Sequence, residues 1–158
     1  MPEVIAIRFT QDQARTLTSV SAETVRHWRK TIPYLSAKTG KAARFTFADL
    51  LGLAITHELV NSFGIHITTM CTGIDALFRL LTASGPVALD GAVVIITSTE
   101  ATLCEAGGDS IGHVQTKPAL MIPLAPLIAK IQRQMLPVMP VSNQTMLPFP
   151  PETIRSRA

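Results

Sequence analysis

The sequence has little charge, few aromatic residues and few cysteines. Charged residues make up 16% of the 158 residues and aromatic residues 5%, and Cys71 and Cys104 are the only cysteines. Two cysteines fit a reducing compartment. A structural zinc site needs ligands in a cluster, such as paired cysteines two to four positions apart, and no such spacing occurs. Cys71 follows His66 and Cys104 precedes His113, which leaves a thiol or metal sensor as the weaker alternative to small core residues. We therefore expect no metal and no other cofactor.

Long hydrophobic runs are also missing. No apolar run reaches the roughly 18 residues that a membrane-spanning helix needs, so no membrane partner is expected. The first residues, "MPEVIAIRFTQDQ", lack the basic start and the apolar stretch of a secretory signal, which makes the cytoplasm the expected compartment. Hydrophobic residues nevertheless reach 47% with a mean hydropathy of +0.31, which excludes a disordered chain. A length of 158 residues allows one principal domain with an appendage.

The charge that is present is distributed unevenly. Residues 1–66 carry a net charge of +3, residues 67–116 carry −4 and residues 117–158 carry +4. The densest basic stretch is 22–44, which has six Lys or Arg residues against Glu23. This stretch is the candidate anion-binding surface.

Two short helices are predicted near the amino terminus. Thr10 and Gln13 have the spacing of a capping box, which predicts a helix from about Gln11 to Leu17. Ser21 begins a second helix that places Val25 and Trp28 on its inner face and ends before Pro33. Two short helices joined by so brief a turn indicate a helix-turn-helix.

The next segments are predicted as a wing and two further helices. Residues 34–45, "YLSAKTGKAARF", place apolar ends around a Thr-Gly centre and indicate a small β-hairpin. Thr46 and Asp49 cap a helix whose apolar stripe runs to Phe63 and ends at Gly64. A fourth helix is expected over about residues 69–83.

The predicted secondary structure changes from mainly helical to mainly extended near residue 85. "VALDGAVVIIT" predicts a tight hairpin with a type I′ turn at Asp90-Gly91, and "PALMIPL" predicts a further buried strand. Pro126 is expected to begin a helix with Leu127, Ile128, Ile131 and Met135 on one face. Beyond Leu136 the Pro-rich tail is expected to be extended or disordered.

These elements predict an α+β fold in three parts. Residues 1–84 are expected to form a winged helix-turn-helix domain, mainly α with a β-hairpin wing. Residues 85–136 form a small strand-rich α/β segment for dimerisation or effector binding, and residues 137–158 form the tail. Pairing of exposed strand edges between two copies is the simplest way to cover them, which favours a homodimer.

Residues 9–67 contain the segments "FTQDQARTLTSVSAETVRHWRK" and "LSAKTGKAARF", followed by "TFADLLGLAI" and "FGIHI". In this order the segments resemble the MerR family of bacterial transcriptional regulators. The resemblance implies a homodimer that binds promoter DNA through a winged helix-turn-helix in transcription regulation. Family members usually continue into a long coiled-coil helix, whereas residues 86–124 are predicted here as strands.

The physical properties of the basic stretch favour the same role. A helix of about 10 Å diameter fits the major groove, where outward side chains reach base edges while basic residues grip phosphates. The expected base-reading residues are Glu23, Thr24 and His27. The expected phosphate-binding residues are Arg26, Arg29, Lys30, Lys38, Lys41 and Arg44. The predicted partners are double-stranded DNA and a second copy, with RNA polymerase or another protein as a further candidate. The protein would be associated with the nucleoid when bound to DNA.

Three alternatives remain beside this interpretation. "GDSIG" matches a nucleophile-elbow pattern at Ser110, but no clear strand precedes it and the only later acidic residue is Glu152, so we predict that the protein is not an enzyme. An excisionase-like architectural factor would use the same surface to bend DNA. A protein-interaction module or antiactivator would instead use the apolar carboxy-terminal segment to capture a partner.

Overall fold

The first half of the chain is mainly helical, and its helix Phe47–Asn61 packs against helices that precede and follow it in the sequence. The structure is a computed structural model, and it describes residues 7–38, 40, 42–106 and 117–136. The described helices are α1 (Gln11–Thr18), α2 (Ala22–Thr31), α3 (Pro33–Ser36), α4 (Phe47–Asn61), α5 (Ile67–Ala83), α6 (Pro86–Leu89) and α7 (Leu124–Met135). The described strands are β1 (Ala92–Ile96), β2 (Ala101–Glu105) and β3 (Leu120–Pro123). The predicted α+β class is confirmed.

The first two helices begin where the capping residues predict. Thr10 accepts a hydrogen bond from the Gln13 amide while the Gln13 side chain accepts one from the Thr10 amide, which closes the capping box of α1. The Ser21 side chain accepts from the Thr24 amide and starts α2. Between the helices Ser19 adopts a left-handed conformation with φ 58° and ψ 27°. A single residue of this kind ends α1 sharply and lets α2 begin three residues later.

Helix α4 is buried around most of its circumference. It packs against α5, α1 and α7, and nine of its residues, from Asp49 to Leu59, are buried. Gly52 allows the closest approach to α5, because a Cβ at this position would overlap the ring of Phe78. One hydrophobic cluster runs from Phe9 through α4 and α5 to Leu124 and Ile131. The core is therefore continuous across residue 85, and the three-part division of the chain stays a prediction.

The three strands form one antiparallel sheet in the order β2-β1-β3. Val94 of β1 pairs with Leu103 of β2 on one side and with Ile122 of β3 on the other. The central strand is consequently the most buried of the three, as its apolar sequence requires. Helix α5 packs on β1 and β2. Strands β2 and β3 are the two edges of this sheet.

The predicted β-hairpin wing is wrong in the described part of residues 34–45. Pro33 occupies the first turn of α3, where its missing amide hydrogen costs nothing, and Tyr34 and Leu35 continue this helix. The strand signal of Phe45 is real, but its partner is distant. The amides of Phe9 and Phe45 each donate to the other residue's carbonyl at 2.8 Å in an isolated antiparallel bridge.

The predicted hairpin around Asp90-Gly91 is also wrong. Residues 86–89 form helix α6 with Pro86 in its first turn, and β1 pairs with β2 across the turn at residues 97–100. Asp90 has a φ of −68°, whereas a type I′ turn requires a positive value there. Gly91 does adopt a positive φ of 69° and leads the chain into β1.

Smaller corrections concern helix ends. Helix α4 ends at Asn61, so Phe63 lies beyond it and is exposed rather than in the apolar stripe. Helix α7 begins at Leu124, two residues before the predicted Pro126. The predicted strand at 118–124 is confirmed for Leu120–Pro123, but its predicted burial is wrong, because β3 is an edge strand and none of its four residues is buried. The loop around Ser110 and the tail at 137–158 lie outside the described residues.

Candidate nucleic-acid interface

Helix α2 presents a polar, mainly basic stripe on its outer side. Val25 and Trp28 are buried against the core, so the residues on the opposite side must face solvent. The exposed residues of this stripe are Glu23, Arg26, His27 and Lys30. Their spacing of three, four and seven positions places them on one face of the helix. Three of them are basic or imidazole side chains.

The short turn before α2 fixes how this face is presented. Val20 is buried beneath the turn, while Ser21 and Ser19 lie at the surface. The amide of Val20 donates to the Arg15 carbonyl at 3.2 Å, which holds the turn against the end of α1. Helix α2 itself packs against α3 and α5. The exposed stripe thus sits on a helix that is anchored at both its start and its inner face.

Thr24 was predicted to read bases, and its side chain already has a local partner. Its hydroxyl lies 2.8 Å from the Ser21 hydroxyl, which also accepts a hydrogen bond from the Thr24 amide. The residue is half-buried. Thr24 therefore stabilises the amino terminus of α2, and His27 is the more accessible of the two side chains.

Arg29 lies on the edge of the stripe and packs inward. Its guanidinium carbon is 6.0 Å from the centroid of the Phe45 ring, within the range of a cation–π contact. Its Nε and Nη2 atoms are buried and have no hydrogen-bond partner among the described residues. Burial lowers the pKa of Arg29 from its ordinary value. This arginine joins α2 to the segment that carries Phe45.

Lys38 lies in the segment predicted as the wing, and its amine is used within the protein. Its Nζ is 2.9 Å from Oδ2 of Asp49 and donates to the Arg44 carbonyl at 3.1 Å. It also lies 5.7 Å from the Tyr34 ring centroid and 5.8 Å from that of Phe45. Lys38 is therefore a structural cation at the start of α4.

Arg44 is the exposed basic residue of the same segment. Its Nη1 donates to the Ala43 carbonyl at 3.1 Å, and its own carbonyl is held by Lys38. It directly precedes the Phe45 bridge to Phe9 and the cap of α4. Lys41, also predicted to bind phosphate, lies outside the described residues.

A polar cluster around the buried Asp49 joins the segment after α2 to α4 and α5, and the sequence did not reveal it. Tyr34 Oη donates to Asp49 Oδ1 at 2.6 Å and lies 2.9 Å from the Thr82 hydroxyl. Its backbone amide donates to Asp75 Oδ1 at 2.7 Å. Burial and the Asp49 hydrogen bond raise the pKa of Tyr34 to about 12. The cluster ties α3 to α4 and α5, and only the capping signal Thr46–Asp49 was visible in advance.

Metal sites, reactive thiols and membrane-spanning helices are the other features that could indicate a function in the described part of the chain. No group of three or more His, Cys, Asp or Glu residues that could hold a metal occurs there. Cys71 is half-buried and Cys104 is buried, and both are free thiols. None of the helices in residues 7–106 and 117–136 is long and apolar enough to cross a bilayer.

Comparison with known proteins adds no family to these observations. No protein-family model matches the chain, and no curated protein sequence matches it.

Proposed function

We propose that this protein binds double-stranded DNA sequence-specifically as a homodimeric, MerR-like transcriptional regulator. The observation that carries the proposal is the exposed stripe Glu23, Arg26, His27 and Lys30, which α2 presents opposite its buried Trp28. A helix placed in the major groove needs such a face, with side chains that reach base edges flanked by cations for the phosphates.

The contacts divide the predicted basic residues into two groups. Arg26, Lys30 and Arg44 are exposed and are the proposed phosphate-binding residues. Arg29 and Lys38 pack against the Phe45 ring, and in this proposal they position the surface instead of gripping DNA. His27 is the proposed principal base-reading residue, with Glu23 beside it. Thr24 acts mainly through the Ser21 cap.

The proposed dimer would use the sheet. Strands β2 and β3 are its edges, and an edge strand offers unpaired backbone donors and acceptors to a second copy. A two-fold dimer would present two α2 helices to successive major grooves on one face of the duplex, roughly 34 Å apart. In the cell such a regulator would act in the cytoplasm at the nucleoid and could contact RNA polymerase or another protein.

The proposal is tested by selecting bound sequences from random duplex DNA at low and at physiological salt. An enriched inverted repeat that survives physiological salt is the expected result. Weak, salt-sensitive binding without sequence preference would overturn the regulator proposal and would leave an architectural or protein-binding role. A variant with Arg26→Ala and Lys30→Ala should lose binding, while the control Lys130→Ala on α7 should retain it.

A further inference from the structure

An apolar groove lies beside the amino terminus of α4. It has a volume of about 750 Å³, which falls within the roughly 300–1,000 Å³ of ligand pockets. Phe47 lies at one side, Pro86, Val87 and Leu89 of α6 form another, and the carboxy-terminal turns of α7 form the third. Val87 is 91% exposed, the most exposed large hydrophobic residue in the described part of the chain. The groove therefore leaves apolar surface without cover.

The last turns of α7 lie along this groove. Ile128, Gln132 and Met135 line it along successive turns of α7. Leu136, which follows at once, is an apolar residue that is 71% exposed. Another 22 residues follow Leu136. Helix α7 thus ends at Met135, a residue that itself lines the groove.

The composition of the tail matches the groove. Residues 137–149 hold Val138, Met139, Val141, Met146, Leu147 and Phe149 and no charged residue. Eight residues, 137–144, can extend on the order of 26 Å, which allows the chain to turn back along α7. The prolines of the tail limit the conformational entropy that the chain loses when it becomes ordered. Beyond the apolar part come Arg155 and Arg157, and among the described residues that line the groove Asp90 is the charged one.

We infer that residues 138–149 bind in this groove of their own chain. Attachment at Leu136 makes the association intramolecular, so the effective concentration of the tail is on the order of millimolar and modest apolar burial is sufficient. The groove begins at Phe47, the first residue of α4, immediately after the segment with Arg44 and Phe45. The tail would thus cover the side of the molecule next to the proposed DNA-binding surface, and this inference does not depend on that surface binding DNA.

The test uses the full chain and a photoreactive residue. Val87 is replaced by benzoylphenylalanine, which its exposed position tolerates, and cross-linked peptides are identified by mass spectrometry. The expected result is cross-linking to residues 138–149. The matched control carries the same residue at Phe63, which is 64% exposed on a separate apolar surface with Met121 and Leu127. That control should not capture the tail.

Two further measurements make the result decisive. Replacing Met146, Leu147 and Phe149 by Ser should lower the yield of cross-linked tail peptide from position 87 about tenfold or more. The fluorescence of Trp28 should stay native, which shows that the fold is intact. In a mixture of isotopically heavy and light chains, each cross-linked product should join two heavy peptides or two light peptides, because the cross-link forms within one chain. No tail peptide at position 87, or equal capture at position 63, would overturn the inference. Mixed-mass cross-links would overturn it in favour of the tail of a second copy.

Discussion

Lys38 and Asp49 form an ion pair of 2.9 Å in which the carboxylate is completely buried and the lysine side chain is 23% exposed. Asp49 also accepts hydrogen bonds from the Tyr34 hydroxyl and the Thr46 amide, so each of its oxygens has a donor. A buried carboxylate without such partners would be costly. The pair fixes the segment before α4 to the helix that forms the centre of the core.

Replacing Lys38 with Met should lower the free energy of unfolding by about 3 kcal/mol, because the buried Asp49 carboxylate loses its counter-charge. Denaturant unfolding followed by Trp28 fluorescence measures the change. The control Lys30→Met alters an exposed lysine and should change stability by less than about 0.5 kcal/mol. Adding Asp49→Asn to Lys38→Met should recover part of the lost stability, because the Asn side chain buries a neutral amide in place of an unpaired carboxylate. Equal stability of the two single variants would contradict this account.

Stability should depend on the ionisation of Tyr34 at alkaline pH. Folding raises its pKa from an ordinary 10.0 to about 12, so the folded state favours the protonated phenol. The contribution is complete below pH 10.0 and is lost as the pH rises toward about 12. The stability difference between the native sequence and Tyr34→Phe should therefore shrink across this interval.

The titration can be read directly, because Tyr34 is the only tyrosine in the chain. Tyrosinate absorbance of the folded protein should rise well above pH 10.0, near 12, and in denaturant it should return to the ordinary value. A native titration at the ordinary value would show that the Asp49 hydrogen bond does not hold the phenol protonated.

Arg26→Ala should weaken binding to all DNA sequences several-fold and reduce the slope of affinity against salt by about 1, because one phosphate contact and its released counterion are lost. Titrations of specific and random duplexes at several salt concentrations measure both effects. Lys130→Ala removes an exposed lysine from α7 and serves as the control. A salt slope that stays constant in Arg26→Ala would remove this residue from the phosphate-binding set.

His27→Ala should change which sequences are preferred. A side chain that contacts a base edge contributes about 1–3 kcal/mol of discrimination at one position of the half-site, whereas the salt slope should remain constant. Selection from random duplexes with the native and variant proteins would reveal the relaxed position. If both proteins select the same repeat with equal stringency, His27 does not read bases.

Gly73→Ala should destabilise the fold by about 1–3 kcal/mol. Its amide donates to the Ser98 carbonyl at 3.0 Å, and a Cβ at this position would overlap the Thr97 carbonyl, so α5 would have to move away from the turn between β1 and β2. The control is Gly85→Ala, where a Cβ meets no atom within 4 Å and the backbone φ is −73°. Thermal unfolding of both variants tests the difference.

Local signals in the sequence were sufficient to locate helices α1, α2 and α4. The caps at Thr10, Ser21 and Thr46 and the buried pair Val25 and Trp28 are short-range features, and they located α1, α2 and α4 to within a few residues. The exposed stripe of α2 followed from the same pattern. Helix propensity and capping depend on neighbours three or four positions away, which a single sequence displays.

The errors came from contacts that are distant in the sequence. Tyr34 was assigned to a strand, yet its amide bonds to Asp75, 41 positions later, and its hydroxyl to Asp49. Phe45 was paired across a local hairpin, whereas its partner is Phe9. Lys38 is predicted to bind phosphate but forms an ion pair with the buried Asp49. No local pattern in a basic segment indicates which of its lysines will pair with a buried carboxylate.

The bridge between Phe9 and Phe45 has a consequence for how the basic surface is ordered. Two reciprocal hydrogen bonds close the chain into a ring of residues 9–45 that contains α1, α2 and α3. Closing such a loop lowers the conformational entropy of the chain, and this cost arises once for the whole loop. Arg26 and Lys30 are held by α2 and its core contacts, whereas Arg44 directly precedes the bridge residue Phe45. A chain without the bridge would keep all three charges, but the backbone beside Arg44 would lose its fixed attachment to the start of the chain's helical region.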